Sequence, residues 1–230
     1  MNKFFFRLAF AVAALLPASP VLAADLDAPP VDDLRLATYD WSGAYVGGWA
    51  GLACIDGTAT DVTAATTYLL AGCGGKAGVM AGYNFQWESM VLGIEADYGW
   101  GGEIAENPDP AVAIAYNLNN IGTIRGRLGY AFDDTMIFAT GGFAYANAEL
   151  SGLFGAAPGT PFAIDESYTG WSIGGGVEHA LSENIRIRMD YLYTRMGTEN
   201  YSPCGACSID VDWGGEHEVR VGAIWAFGSW

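Results

Sequence analysis

The chain has 230 residues and a formal net charge of −16, which excludes ordinary nucleic-acid binding because that function needs a basic surface. Hydrophobic residues make up 51% of the chain, yet no apolar run after residue 24 approaches the roughly 20 residues of a membrane-spanning helix. The composition therefore argues against both a nucleic-acid-binding protein and a helical membrane protein.

The N-terminal stretch has the organisation of a secretory signal peptide. Lys3 and Arg7 precede a short apolar run that ends in small residues, which is typical of a cleavage site. A membrane anchor is the alternative, but the apolar run is short for that role. We predict three parts: a cleaved signal peptide at 1–23, a flexible, acidic and proline-rich periplasmic extension at 24–40, and one domain at 41–230.

From residue 41 onward, short segments alternate apolar and polar side chains with a period of two residues, which is typical of β-strands and not of helices. Eight such segments follow one another, at roughly 43–53, 76–87, 91–100, 119–130, 135–147, 168–181, 185–196 and 216–230. The connections between them are alternately long and short. This order is typical of an outer-membrane barrel with long extracellular loops, short turns and both termini on the periplasmic side.

One face of the predicted strands collects most of the charge. Without Lys3 and Arg7 the chain keeps eight basic residues, and six of them lie on this face together with five acidic residues. The set is Lys76, Glu95, Asp97, Arg125, Arg127, Glu178, Arg186, Arg188, Asp190, Glu218 and Arg220. An Arg or Lys at the lipid midplane costs about 2–4 kcal/mol, so we expect this face to line the lumen. Eight strands enclose little more than their own side chains, so we expect a network that plugs the lumen; a charged pore that selects solutes is the alternative.

The opposite face is apolar and carries aromatic residues near its two ends. These predicted girdle residues are Trp87, Trp100, Tyr130, Trp171, Tyr193, Trp225 and Phe227. Aromatic girdles of this kind mark the two membrane interfaces. A soluble barrel such as a lipocalin is the alternative, but it would put the arginines outside and the aromatics inside. We therefore predict an all-β fold: an eight-stranded antiparallel up-and-down transmembrane β-barrel in a Gram-negative outer membrane.

Four cysteines in an exported chain favour disulfides because such compartments are oxidising. The local candidate pairs are Cys54 with Cys73 and Cys204 with Cys207. Zinc binding by the second pair would need further ligands, and no Cys or His with suitable spacing supplies them. We predict no metal site and no cofactor.

The sequence offers little for catalysis. His179 and His217 are the only imidazole bases, and neither has a Ser or Asp partner at a motif spacing. We predict no catalytic residue; a lipid-modifying outer-membrane enzyme is the remaining enzymatic alternative. Acidic residues in the long loops could bind Ca²⁺ or Mg²⁺ that bridges lipopolysaccharide phosphates, although mutually repelling, solvated loops are the simpler interpretation.

Five motifs resemble those of a known family: Trp41-Ser-Gly-Ala-Tyr-Val-Gly-Gly, Ala139-Thr-Gly-Gly-Phe-Ala-Tyr, Gly170-Trp-Ser-Ile-Gly-Gly-Gly-Val-Glu-His-Ala-Leu, Asp190-Tyr-Leu-Tyr and Val219-Arg-Val-Gly. Over residues 39–230 the chain resembles the alphaproteobacterial outer-membrane immunogenic proteins, which are OmpA-like eight-stranded barrels and porin-family surface antigens. The family's terminal aromatic signal is matched by Phe227, with three residues continuing beyond it.

The resemblance implies a surface-exposed barrel that the outer-membrane assembly machinery inserts. It implies roles in envelope integrity, adhesion or host contact, with outer-membrane lipid, lipopolysaccharide and a host or cell-surface ligand as partners. It leaves a narrow porin for small solutes open as the alternative function, and haem binding open as well.

Overall fold

The computed structural model describes residues 39–61, 66–101, 104–106, 114–154, 160–201 and 209–228. They form ten β-strands: β1 (Gly43–Asp61), β2 (Thr66–Trp87), β3 (Met90–Trp100), β4 (Ile104–Glu106), β5 (Ile114–Phe132), β6 (Thr135–Phe154), β7 (Thr160–Ala180), β8 (Ile185–Met196), β9 (Thr198–Tyr201) and β10 (Ile209–Ala226). Among these residues no helix is long and apolar enough to cross a membrane. The predicted signal peptide, the extension up to residue 38, and Cys204 and Cys207 lie outside the described residues.

The strands form one closed antiparallel barrel. Neighbours in sequence pair with each other, and β1 pairs with both β2 and β10, which closes the sheet on itself. Strand β4 continues β3 between the same two neighbours, and β9 continues β8 against β10, so the wall has eight strand positions. The predicted eight-stranded antiparallel up-and-down barrel is confirmed.

Short turns lie at one end of the barrel, here called the inner end. Two-residue turns at Glu88-Ser89 and Asp133-Asp134 join β2 to β3 and β5 to β6, and a turn at 181–184 joins β7 to β8. Glu88 and Asp133 adopt positive φ angles of 55° and 53°. Tight hairpins favour this left-handed backbone because it matches the twist of the strands.

At the opposite, outer end the strands are longer than predicted. The β1–β2 register runs without interruption from Cys54 opposite Cys73 to Asp61 opposite Thr66, and β6 pairs with β7 as far as Phe154 opposite Thr160. The prediction placed long loops at 54–75 and 148–167, and that was wrong. Apolar alternation stops where lipid no longer selects apolar side chains, whereas backbone pairing continues because each strand still offers hydrogen bonds to the next.

The outer face of the wall is apolar and the inner face is charged, as a membrane-spanning barrel requires. Along β8, residues 186 to 192 alternate strictly, with charged or apolar side chains buried inside and apolar side chains exposed outside. Ile94 and Met189 are each 58% exposed on the outer surface, while Arg188 inside is 3% exposed. The exposed face is apolar and the buried face is charged, which is the reverse of a soluble barrel.

The predicted girdle residues all lie on the outward face. Trp87, Trp100, Tyr130, Trp171, Trp225 and Phe227 are exposed. Tyr193 is half-buried because its ring packs against Trp171 and His217, with ring centroids 5.6 and 5.0 Å away.

Glycines inside the barrel leave room for two large rings of β1. A Cβ atom on Gly78 or Gly99 would lie 2.6–2.7 Å from the Trp49 indole, and one on Gly82 would lie 2.4 Å from the Tyr45 ring. Tyr45 and Trp49 are therefore lumen residues, buried with Met80 and Ile224 in one cluster. Their position in the lumen was not predicted.

Candidate functional site: the charged lumen

Twelve charged side chains are buried among the described residues. Six are basic (Lys76, Arg125, Arg127, Arg186, Arg188 and Arg220) and six are acidic (Glu95, Asp97, Glu178, Asp190, Glu216 and Glu218). The formal charge of this set is therefore zero. All eleven residues that the sequence analysis predicted for the lumen belong to this set. Glu216 is the one residue of the set that was not predicted. The sequence signal for Glu216 was its even-numbered position, which it shares with Glu218 on the same strand.

Glu95 on β3 is the centre of the network. Both of its oxygens accept hydrogen bonds from Arg188, at 2.5 and 3.0 Å, and Oε1 also accepts one from Arg125 at 2.8 Å. The Tyr45 hydroxyl donates to Oε2 at 2.6 Å, and Arg127 in turn donates to that hydroxyl at 3.1 Å. One carboxylate thus connects β1, β3, β5 and β8 across the lumen. Each hydrogen bond to it is charge-assisted, because the acceptor is ionised.

Two aspartates extend the network toward the outer end. Arg220 donates to Asp190 through Nε and Nη2, at 3.0 and 2.5 Å, and Nη1 lies 3.4 Å from Asp97. Asp97 also accepts from the Thr123 hydroxyl at 3.0 Å and forms an ion pair with Arg125. Arg188, which binds Glu95, also donates to Asp190 at 3.1 Å and so connects the aspartates to the central carboxylate. Removing Glu95, Asp97 or Asp190 would leave at least two guanidinium groups with fewer partners.

The inner end of the lumen is covered by the residues that precede β1. Trp41 is fully buried among Val91, Ala131, Met136 and Ala180. Its neighbour Tyr39 accepts a hydrogen bond from Arg186 Nε at 2.7 Å and donates one to the Glu183 carbonyl at 3.0 Å. The Arg186 guanidinium lies over both rings, 5.0 Å from Tyr39 and 4.8 Å from Trp41. Arg186 and Arg127 both pair with Glu178, which links this cover to the network.

Aromatic faces complete the surroundings of the other arginines. The guanidinium groups of Arg127 and Arg188 lie 4.1 and 4.5 Å from the Phe138 ring centroid, and that of Arg220 lies 4.9 Å from Trp49. A ring face attracts a cation electrostatically, by about 2 kcal/mol when the pair is shielded from water. Interleaved rings and ion pairs therefore fill the cross-section that the glycines leave free.

The outermost buried pair is Lys76 with Glu216, at 2.6 Å. Near it, Ser172, Thr194, Glu216 and Glu218 each carry one buried side-chain oxygen that has no hydrogen-bond partner among the described residues. Among the described residues, the unpaired buried atoms of this part are carboxylate and hydroxyl oxygens, whereas those of the centre are N–H groups of Trp49, Arg125 and Arg127.

Cys54 and Cys73 form a disulfide, as predicted, and they are directly opposed partners of β1 and β2. Both side chains lie on the outward face, at the level where β10 places His217 opposite Cys54. The bond joins the barrel wall to the part of the β1–β2 hairpin that extends beyond it.

The two histidines lie on the outer surface at opposite ends. His179 shares a hydrogen bond of 3.0 Å with the Thr135 hydroxyl, and His217 shares one of 2.6 Å with Tyr191. Neither hydrogen bond forms part of a Ser-His-Asp arrangement. Within the described part of the chain, no group of three or more His, Cys, Asp or Glu is arranged to hold a metal ion.

Residues 9–227 match the family model described as the outer membrane protein beta-barrel domain. The chain belongs to this outer-membrane β-barrel family. The closed wall with its apolar exterior is accordingly a transmembrane barrel of an outer membrane, as the sequence motifs predicted.

Curated relatives extend the assignment along most of this outer-membrane barrel. The 31 kDa outer-membrane immunogenic protein of Brucella melitensis biotype 1 is 31% identical, with 95% of each chain covered. The 22 kDa outer membrane protein of Rhizobium leguminosarum bv. viciae is 32% identical, covering 79% of this chain and 76% of the relative. These names describe outer-membrane proteins, the first an immunogenic one, and the predicted resemblance to that family is confirmed.

A solved structure agrees on the fold. The outer membrane protein OprG from Pseudomonas aeruginosa superimposes with a TM-score of 0.53 at 12% sequence identity, covering 82% of this chain and 98% of that one. At this identity the likeness concerns the barrel and not its activity.

Proposed function

We propose that this outer-membrane barrel is a structural and surface-display protein whose lumen is permanently plugged. The observation that carries the proposal is the balance of six buried basic and six buried acidic side chains, joined across the lumen through Glu95. Breaking a buried pair by removing one partner costs about 3–5 kcal/mol, so a passage through the centre would require several such costs at once.

The extended strand ends support the display part of the proposal. The β1–β2 and β6–β7 hairpins continue well beyond the girdles, and the first is braced by the Cys54–Cys73 disulfide. A braced hairpin presents its side chains with little conformational entropy left to lose on binding. We propose lipopolysaccharide at the rim and a host or cell-surface ligand at the hairpins as the partners, and the assembly machinery as the partner during insertion.

A narrow porin is the second candidate. The observation that favours it is the outer part of the lumen, where four buried oxygens lack hydrogen-bond partners among the described residues. Water or a small solute would satisfy such atoms. The cover formed by Tyr39 and Trp41 at the inner end argues against continuous passage.

Planar-bilayer conductance tests the plug. The wild-type barrel should give no stable unit conductance, whereas a Trp41→Ala/Glu95→Ala variant, which loses the inner cover and the central carboxylate, should give one if it folds. A stable wild-type unit conductance would overturn the plug, provided that a Ser172→Trp variant, which adds a ring at a buried lumen position, abolishes it.

Labelling of intact cells tests the display. Leu69 lies on the outer extension of β2 and Glu88 in an inner turn. A membrane-impermeant maleimide should label the Leu69→Cys variant more than the wild-type protein. It should label the Glu88→Cys variant no more than the wild-type protein. The reverse pattern would overturn the orientation on which the display role depends.

Loss of the gene tests the structural role. Cells without the barrel should become more sensitive to detergent, and a variant in which residues 57–70 are replaced by Asn-Gly should restore resistance. If only the full-length hairpin restores it, the envelope role belongs to the hairpin and the barrel is merely its support.

A further inference from the structure

The outer chamber of the lumen is defined here by Lys76, Ser172, Thr194, Glu216 and Glu218. All five side chains are at least nine-tenths buried: Lys76 and Glu216 are 4% exposed, Ser172 and Thr194 2%, and Glu218 1%. Ser172 Oγ, Thr194 Oγ1, Glu216 Oε1 and Glu218 Oε1 have no hydrogen-bond partner among the described residues. Unpaired buried polar atoms are costly, so four in one place need a physical reason.

The strand register brings these oxygens together. Ser172 on β7 is the direct partner of Thr194 on β8, and Thr194 is the direct partner of Glu216 on β10. Directly opposed residues have Cβ atoms about 4.5–5.5 Å apart. Glu218 follows Glu216 by two positions and therefore faces the same side. Three adjacent strands thus aim two hydroxyls and two carboxylates into one region.

The charge of the chamber favours a cationic occupant. Lys76 donates to Glu216 Oε2 at 2.6 Å, which leaves Oε1 of that carboxylate unbonded. The guanidinium nearest to Glu218 is that of Arg220, whose Nη1 lies 4.0 Å away, beyond hydrogen-bond distance. Arg220 instead donates to Asp190 at 2.5 Å. The two carboxylates therefore have one hydrogen-bonded cation between them, Lys76, and Arg220 reaches Glu218 only as a long ion pair. A buried carboxylate without a hydrogen-bonded partner is strongly disfavoured.

Oxygen atoms of carboxylates and hydroxyls are the ligands that hard metal cations prefer. We propose that the outer chamber binds one small hard metal cation through the carboxylates of Glu216 and Glu218 and the hydroxyls of Ser172 and Thr194. The chamber contains two carboxylates, so it is compatible with the absence of any group of three or more His, Cys, Asp or Glu arranged for a metal among the described residues. The site lies inside the barrel and is separate from the acidic residues of the outer loops.

Calorimetric titration of the chelator-treated, folded barrel in detergent tests the proposal, with Ca²⁺, Mg²⁺ and Na⁺ as separate probes. At least one of them should bind saturably at one site. The Glu218→Gln variant keeps the size of the side chain and removes its charge, and it should bind at least tenfold more weakly. It should also unfold at a higher temperature than the wild type in chelator, because it no longer buries that carboxylate.

The Asp212→Asn variant is the matched control, since Asp212 is a half-exposed carboxylate on the same strand, 3.4 Å from Arg195. It should bind the cation like the wild type. Wild-type affinity in Glu218→Gln, or no binding of any of the three probes, would overturn the proposal. If Glu218→Gln fails to fold, the Ser172→Ala/Thr194→Val variant decides: it removes two ligands and no charge, and undiminished affinity in it would also overturn the site.

Discussion

Arg188 donates hydrogen bonds from both terminal nitrogens to Glu95, at 2.5 and 3.0 Å, although the two residues are 93 positions apart in sequence. They belong to β8 and β3, which lie on different sides of the barrel and do not pair with each other. The bond therefore crosses the lumen, and it ties opposite walls together where a pore would need a gap.

We expect the Glu95→Gln substitution to lower the free energy of unfolding by about 3–5 kcal/mol, because it removes a buried negative charge from three arginines. Reversible unfolding by urea in lipid vesicles measures the change. The same carboxyl-to-amide exchange at Asp212, whose pair with Arg195 is half-exposed, should cost below about 1 kcal/mol. Equal effects at the two positions would contradict the central role of Glu95.

We expect the Gly99→Ala substitution to cost about 1–3 kcal/mol, since the added methyl group would overlap a packed indole. Its Cβ would lie 2.7 and 2.8 Å from Cζ2 and Cη2 of Trp49. The matched control is Gly75→Ala, because a Cβ at that position meets no atom within 4 Å. The same unfolding measurement applies, and an unaffected Gly99→Ala variant would show that Trp49 is not held in place by its surroundings.

Position relative to lipid should decide the cost of a surface charge. Ile94 is 58% exposed within the membrane-spanning part of β3, and Leu69 is 64% exposed on the outer extension of β2. Ile94→Arg should therefore destabilise the barrel in bilayers by about 2–4 kcal/mol, and Leu69→Arg by about 1 kcal/mol or less. A comparable loss at Leu69 would place lipid further out along β2 than the girdles indicate.

The disulfide should stabilise the outer part of the β1–β2 hairpin in particular. It closes a loop with a sequence separation of 19, for which chain entropy accounts for about 3 kcal/mol. In a Cys54→Ser/Cys73→Ser variant, backbone amides at 54–61 should exchange hydrogen faster, while those of the lumen-lining part of β8 should not change. Unchanged exchange at 54–61 would mean that backbone pairing alone holds the hairpin.

Much of the wall could be predicted because two independent signals agree along each strand. The two-residue period separates the faces, and the cost of placing Arg186 or Arg188 in lipid decides which face is inside. These two signals do not separate the faces of Thr135–Asn147, because both are apolar there; the structure places Ile137, Phe143 and Tyr145 outward.

The partners inside the barrel could not be predicted in the same way. The two-residue alternation predicts that Arg125, Arg188 and Glu95 all face the lumen. Only closure of the sheet brings the side chains of Glu95 on β3 and Arg188 on β8 within hydrogen-bond distance. Tyr45 and Trp49 were missed because their inward position depends on glycines of other strands that leave space for the rings. The outer chamber depends on register as well, since Ser172, Thr194 and Glu216 come from three strands.

The number of strand positions in the wall, the polarity of each face and the candidate Cys54–Cys73 pair could be predicted from the amino-acid sequence, because they depend on local alternation and on neighbours in one hairpin. How far the strands extend beyond the membrane, and which acid each arginine contacts, became known only from the folded barrel. Those outcomes depend on distances across a closed cylinder, where residues far apart in sequence meet and where an unpaired charge is too costly to remain.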